Sequence, residues 1–271
     1  MAPRPGPGPG SGSISGSGPV ALPDGRRLRA MRGGSGPPLV LFDAGSFGIY
    51  ADGANLVRAL AALGVPALSY TRAGLMGSDP APAAPTPEAH GEDMLALLEA
   101  TGQTGPVVLA GHSLAGLRLH ALANRHPARL RGLVLIDAMV PGAFGPRALR
   151  ALAAALRPVE RALPAFCRMA DAYPNAMRLE GAERADKLAS VYSSAHLRAS
   201  RAEIAHAARA AIAPAEPVPT ILLPATRVAR GSAALAARTG ARVLDMSAYG
   251  HASVLAPEPA ARIADAAASL L

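Results

Sequence analysis

The sequence predicts an α/β protein built on a mostly parallel central sheet with helices on its flanks. Apolar runs of strand length alternate with longer segments of helical character along most of the chain, which is typical of a parallel sheet. The runs also end in small or polar residues, as strands do at the edge where open α/β sheets bind ligands. With 271 residues, half of them hydrophobic, the chain can bury one sizeable core.

The elements follow one another in a regular order. In chain order the predicted strands are residues 38–42, 65–70, 107–110, 133–136, 220–223 and 241–244. Helical segments at residues 55–63 and 88–100 separate the early strands, and a helix that begins at Pro257 ends the chain. This alternation predicts that the polar residues after each strand meet at one edge of the sheet.

The strand at residues 107–110 leads to Ser113, which is flanked by residues with little or no side chain. We expect a sharp turn from strand to helix that exposes the serine hydroxyl. Such a turn requires small neighbours, here Gly111 and Ala115. The helix that begins at Leu114 would supply N–H groups for a developing oxyanion.

Several segments together carry a pattern shared with a known family. They are Leu-Val-Leu-Phe-Asp-Ala-Gly at 39–45, Tyr-Thr-Arg-Ala-Gly at 70–74, Gly-His-Ser-Leu-Ala-Gly at 111–116, Leu-Val-Leu-Ile-Asp at 133–137, and His251. Over roughly residues 22–271 the chain resembles the α/β-hydrolase family, above all the subset whose first loop reads acidic-Ala-Gly. The resemblance implies the α/β-hydrolase fold, with a helical lid (cap) inserted after the family's sixth strand, which corresponds to residues 133–136 here.

Two positions depart from the family pattern. Thr71 stands where the subset usually has aspartate, and no acid follows the strand at residues 220–223, where most members place the third triad residue.

A serine at position 113 also argues against dehalogenase and epoxide-hydrolase chemistry, which in this family uses a carboxylate nucleophile.

A catalytic triad is predicted nevertheless. A serine hydroxyl needs a base to take its proton and an acid to stabilise that base. Ser113 is the expected nucleophile and His251, which follows a short strand and a turn, is the expected base. Asp137 is the expected acid because it ends the next strand and preserves the order Ser, Asp, His. Asp245, or no acid at all, remains an alternative.

The resemblance implies an oxyanion hole formed by the backbone N–H groups of Ser46 and Leu114. Asp43 lies close to this loop, and we expect its carboxylate to turn away and hydrogen-bond the loop. The sequence contains no HExxH pattern and no Walker-type loop, so no metal and no cofactor are predicted.

Three regions are predicted from composition. Residues 1–20 are rich in Pro, Gly and Ser and are expected to form a disordered tail. Residues 21–140 and 214–271 form the hydrolase core, and residues 141–213, with Ala, Leu and Arg at helical spacing, form the lid over the serine. Cys167, expected to be buried in a lid helix, is the only cysteine, so no intramolecular disulfide can form.

Charge and composition bear on the partners. The formal charge is +8, but the arginines are scattered rather than aligned on one face, so nucleic-acid binding is not expected. No stretch is long and apolar enough to cross a bilayer, so no membrane association and a cytoplasmic location are expected. The predicted partner is a small-molecule substrate, and the oligomeric state stays open.

The function that fits these features is a serine hydrolase that cleaves a carboxylic ester, or an amide or thioester, of a small apolar substrate through an acyl-enzyme intermediate. One alternative is a non-hydrolytic member of the fold that binds a small ligand or assists a lyase or cyclisation step. A partner-binding scaffold is a third possibility, suggested only by the tail and the charge.

Overall fold

The computed structural model describes residues 14–82, 84–158, 172–215 and 218–271. Within these residues the chain forms one eight-stranded sheet. Its strands are β1 Gly18–Ala21, β2 Arg27–Gly33, β3 Val40–Asp43, β4 Ala67–Tyr70, β5 Val107–His112, β6 Leu130–Ile136, β7 Thr220–Leu223 and β8 Arg242–Val243. The spatial order is β1-β2-β4-β3-β5-β6-β7-β8. The β1–β2 and β2–β4 pairs are antiparallel and all others are parallel.

Helices cover both faces of the sheet. They are α1 Ala54–Ala62, α2 Pro87–Ala100, α3 Ala115–Arg125, α4 Pro146–Ala155, α5 Ala172–Ala176, α6 Gly181–Val191, α7 Ser194–Ala207, α8 Ser232–Thr239 and α9 Pro257–Ala268. A proline in the first turn, where its missing N–H costs no hydrogen bond, begins α2, α4 and α9.

The central strands are buried on both faces. Val108 and Ala110 of β5 pack with α1 and α9 on one face, whereas Leu109 packs with α2 and α3 on the other. Successive side chains of a strand point to opposite faces, so a strand covered by helices on both sides is apolar throughout. This explains the continuous hydrophobic runs of the sequence and confirms the predicted fold class.

The start of the chain differs from the expectation. The predicted disordered tail of residues 1–20 is wrong for residues 18–20, because Gly18–Ala21 pairs with β2 as strand β1. Its residues 1–13 lie outside the described residues. Ser15 also donates from its N–H to the carbonyl of Arg32 at 2.9 Å. The β1–β2 hairpin went unpredicted because neither strand is a continuous apolar run: β1 is half-buried, and in β2 arginines alternate with the buried Leu28 and Ala30.

A helical insertion follows β6, the sixth strand, as predicted. Leu149 of α4 and Ile204 of α7 pack against Leu114 and Leu117, at the start of α3. The insertion therefore lies beside the turn that carries the serine. The expectation for Cys167 lies outside the described residues.

Gly116, on the first turn of α3, lies in close contact with the chain that leaves β6. A Cβ atom at this position would overlap the carbonyl oxygen of Met139 and would lie 3.0 Å from the Cβ of Ala138. Because backbone cannot move aside as a side-chain tip can, this close approach requires glycine.

We predict that Gly116→Ala lowers the free energy of unfolding by about 1–3 kcal/mol, the usual cost of overpacking, although alanine favours a helix. Urea denaturation measures this change. Gly105→Ala is the matched control, since no atom lies within 4 Å of its added Cβ. Equal stability of both variants and the unaltered protein would contradict the packing described here.

Candidate active site

Ser113 occupies the turn between β5 and α3 with a left-handed backbone conformation, at a φ of 57°. Its carbonyl accepts the Met139 N–H at 2.8 Å, and its own N–H donates to the Ile136 carbonyl at 3.3 Å. Small residues make room for the turn: a Cβ on Gly45 would lie 2.7 Å from the Cβ of Ser113, and one on Gly111 would lie 2.7 Å from Leu119. The side chain of Ser113 is thus presented at the carboxyl end of β5.

The structure brings His251 to this serine. Its Nε2 lies 3.0 Å from the Oγ of Ser113, and its Nδ1 lies 2.6 Å from Oδ2 of Asp137. When Nδ1 donates its proton to Asp137, Nε2 is left to accept the hydrogen bond from the serine hydroxyl. His251 is in the segment between β8 and α9, so it reaches the sheet edge from a different part of the chain.

Asp137 directly follows β6 and is fully buried. Its Oδ1 accepts the N–H groups of Ala225 and Thr226 at 3.0 and 2.7 Å, and its Oδ2 accepts the Thr226 hydroxyl at 2.7 Å. Burial alone would raise the pKa of Asp137, but hydrogen bonds from His251, Thr226 and Ala225 hold it well below its usual range. The carboxylate therefore stays charged beside the imidazole.

Asp245, the alternative acid, binds a different partner. It is exposed, and its carboxylate accepts the N–H and the hydroxyl of Ser247 at 2.9 and 3.0 Å. Thr226, by contrast, is a contact that the sequence analysis missed. It lies in the segment after β7 that lacks an acid, and its donors serve Asp137 instead.

His112 packs beneath the imidazole of His251. Its Nε2 lies 2.8 Å from the carbonyl oxygen of His251, and the two ring centroids are 4.4 Å apart. Burial, together with the nearby His251, lowers the pKa of His112 to about 3. The neutral ring can donate to that carbonyl and so fix the backbone of His251.

The loop after β3 passes close to Ser113. Within the described part of the chain, neither the N–H of Ser46 nor that of Leu114 donates a hydrogen bond. Asp43 turns away from the site, but its partners are the buried Arg72 and Arg118, at 3.1 and 2.6 Å, rather than the loop itself. The sequence did not predict that these two arginines are buried.

An apolar region adjoins the serine. Leu114, Leu117 and Met139 form a buried cluster with residues of α4 and α7, and Phe47 packs against it. A cavity of about 270 Å³ opens beside this cluster. Its lining includes Leu117, Pro141, Phe144, Leu149, Ala207 and Ile212.

The described residues contain no group of three or more His, Cys, Asp or Glu side chains placed to bind a metal ion. None of the helices in that part of the chain combines the length and the hydropathy that a membrane crossing requires.

The comparisons with known proteins agree with the fold. The model of the Alpha/beta hydrolase family matches residues 26–266, and the chain therefore belongs to this family. None of the curated proteins matches the chain in sequence.

Three solved structures illustrate the likeness. An esterase from Thermogutta terrifontis with malate bound is 20% identical, with 94% of this chain and 97% of that chain covered and a TM-score of 0.69. An enol-lactonase from Burkholderia xenovorans LB400 is 22% identical, with coverages of 93% and 99% and a TM-score of 0.66. The epoxide hydrolase CorEH is 17% identical, with coverages of 94% and 97% and a TM-score of 0.71. At these identities the likeness shows the fold.

Several buried histidines stay neutral, and His120 on α3 offers the simplest case. Its side chain is buried and its Nδ1 accepts the Ala215 N–H at 3.0 Å. Burial, with a smaller contribution from the charge of Arg238, lowers the pKa of His120 to about 4. In the unfolded chain the imidazole titrates near 6.5, so below that pH the unfolded state binds the proton first and stability falls.

We predict that His120→Asn, whose Oδ1 can still accept the Ala215 N–H, makes the protein less sensitive to acid. Between pH 7.5 and pH 5 the unaltered protein should lose about 2 kcal/mol more unfolding free energy than the variant. Urea denaturation at the two pH values measures the difference. Identical losses would show that His120 does not titrate between these states.

Proposed function

We propose that the protein is a serine hydrolase that cleaves carboxylic esters through an acyl-enzyme intermediate. The observation that carries the proposal is the continuous contact from the Ser113 hydroxyl to His251 and on to Asp137, at 3.0 and 2.6 Å. These distances are those at which a base can take the proton of a nucleophile and an acid can hold that base.

The proposed reaction begins when the Oγ of Ser113 attacks the ester carbonyl while Nε2 of His251 takes its proton. The buried charge of Asp137 stabilises the imidazolium that forms. The N–H groups of Ser46 and Leu114 stabilise the oxyanion of the tetrahedral intermediate. His251 then returns the proton to the departing alcohol, and the acyl group remains on Ser113.

Water completes the proposed cycle. His251 takes a proton from a water molecule that attacks the acyl carbonyl, and Ser113 regains that proton as the carboxylic acid leaves. An amide or thioester could follow the same route, with the amine or thiol as leaving group.

The environment supports a small apolar substrate. The cavity beside the buried cluster around Leu114 and Met139 is lined by hydrocarbon and backbone rather than by charged side chains. The alternative, a non-hydrolytic member that binds a small ligand or assists a lyase or cyclisation step, has less support. Such a protein would not need a serine, a histidine and a fully hydrogen-bonded carboxylate in this order.

We predict that the purified protein hydrolyses short activated esters and is labelled at Ser113 by a fluorophosphonate. Ser113→Ala should abolish labelling and lower kcat by about 10⁴-fold or more, because the nucleophile is lost. A spectrophotometric ester assay and mass spectrometry provide the measurements. Ser269→Ala, in the turn after α9, is the control and should match the unaltered protein. Equal turnover by Ser113→Ala would refute the proposal.

We also predict that Asp137→Asn lowers kcat by about 10⁴-fold, since an amide cannot stabilise the imidazolium and selects the wrong tautomer. Asp245→Asn, the matched control, should change kcat little because Asp245 is exposed and binds Ser247. Steady-state kinetics test this pair, and thermal melting separates lost chemistry from lost folding. The reverse order of effects would identify Asp245 as the acid.

A further inference from the structure

A network of buried charges lies behind the loop that carries Ser46. Arg72 has no solvent exposure and donates to the two oxygens of Glu203 at 2.8 and 2.9 Å and to Asp43 at 3.1 Å. Arg118 donates to the other oxygen of Asp43 at 2.6 Å. Two guanidinium groups thus face two carboxylates, and the buried charge is balanced.

The remaining donors of these arginines reach the backbone of the loop. Arg72 donates to the carbonyl oxygens of Ala44 and Gly45 at 2.7 and 2.9 Å. Arg118 donates to the carbonyl of Ala44 as well. Of the two arginines, only Arg72 reaches the Gly45 carbonyl, which also accepts the Gly48 N–H at 3.1 Å within the loop.

That carbonyl determines the direction of the next N–H group. In a trans peptide the C=O of one residue and the N–H of the following residue point to opposite sides, and the described chain contains no cis peptide. The Gly45 carbonyl faces Arg72, so the Ser46 N–H points away from Arg72. Gly45 itself abuts Ser113, since a Cβ on Gly45 would lie 3.3 Å from the serine Oγ.

We propose that Arg72 is a positioning residue, which holds the Gly45 carbonyl so that the Ser46 N–H faces the oxyanion formed at Ser113. The inference rests on the proposed function and adds a cause for the geometry of the oxyanion hole. If Arg72 no longer fixed the direction of the Ser46 N–H, Ser113 and His251 would remain intact, but the tetrahedral intermediate would be less well stabilised.

The helical insertion takes part in this arrangement. Glu203, which holds Arg72 with two hydrogen bonds, belongs to α7. Lys187 of α6 donates to the carbonyl of Phe47 at 2.9 Å and pairs with the buried Asp52. Phe47 itself has a left-handed backbone with a φ of 59°. The insertion therefore fixes the loop as well as lying beside the serine.

Arg72→Lys tests the proposal because it keeps the charge that Glu203 needs. A single ammonium cannot bridge two carboxylates and two carbonyls as a planar guanidinium does. We expect kcat for an activated ester to fall about 10- to 100-fold with KM nearly unchanged, less than the loss of a whole oxyanion donor. Arg118→Lys leaves the Gly45 contact in place and should lose clearly less. Arg26→Lys, at the remote pair with Asp93, should keep the kcat of the unaltered protein.

Inhibition by phenylboronic acid separates positioning from a general structural loss. The boronate forms a tetrahedral adduct with a serine hydroxyl and places an oxygen where the oxyanion forms. Its inhibition constant should rise in Arg72→Lys by the same factor by which kcat/KM falls. A folded Arg72→Lys with unchanged kcat and inhibition constant would overturn the proposal, as would equal losses in Arg72→Lys and Arg118→Lys.

The unaltered protein provides a second measurement if Arg72→Lys does not fold. On formation of the phenylboronate adduct, the amide proton resonances of Ser46 and Leu114 should both move downfield in the NMR spectrum. A shift of Leu114 without Ser46 would overturn the role of Arg72 while leaving the hydrolase proposal standing. If the unaltered protein binds neither phenylboronate nor a fluorophosphonate and cleaves no ester, both proposals fail.

Discussion

The strained turn at Ser113 is the constraint on which the rest of the site depends. A left-handed backbone at a residue with a side chain costs on the order of 1–3 kcal/mol and persists only where its surroundings fix it. Here β5 is held between β3 and β6, and the Ser113 peptide is hydrogen-bonded to the chain at both ends of the turn. Glycines at positions 45, 111 and 116 clear the space that the turn needs. The hydroxyl can then point outward from a rigid sheet.

Asp137, directly after the neighbouring strand β6, also has a left-handed backbone, with a φ of 40°. Its carboxylate turns toward the segment after β7, where Ala225 and Thr226 supply three hydrogen bonds. The resemblance to the family places a triad acid in that segment. Here the segment supplies donors for the carboxylate of Asp137, which we propose as the acid, and the imidazole of His251 lies between that carboxylate and the serine.

The local features of the site could be predicted from the sequence because they depend on short stretches of chain. Ser113 with its small neighbours, and Asp137 at the end of an apolar run, mark strand ends that must share one sheet edge. The buried charge network could not be found in this way. Arg118 looks like the other arginines, and although Arg72 belongs to the Tyr-Thr-Arg-Ala-Gly segment, nothing in that segment marks it as buried. The burial of both follows from the approach of Asp43 and of Glu203, far along the chain. Lys187, the single lysine of the sequence, likewise gave no sign of burial, which depends on its contacts with Phe47 and Asp52.

The central claim is that Ser113 carries the acyl group of the substrate during turnover. The most direct test uses an activated ester whose acyl group is released slowly from the protein. The reaction is quenched within the first turnovers, and the protein is analysed by intact mass and peptide mass spectrometry. We expect a mass increase of one acyl group, located on Ser113 and lost as turnover proceeds. Turnover with no acyl group on Ser113, or an acyl group on a different residue that is formed and released at the catalytic rate, would contradict it.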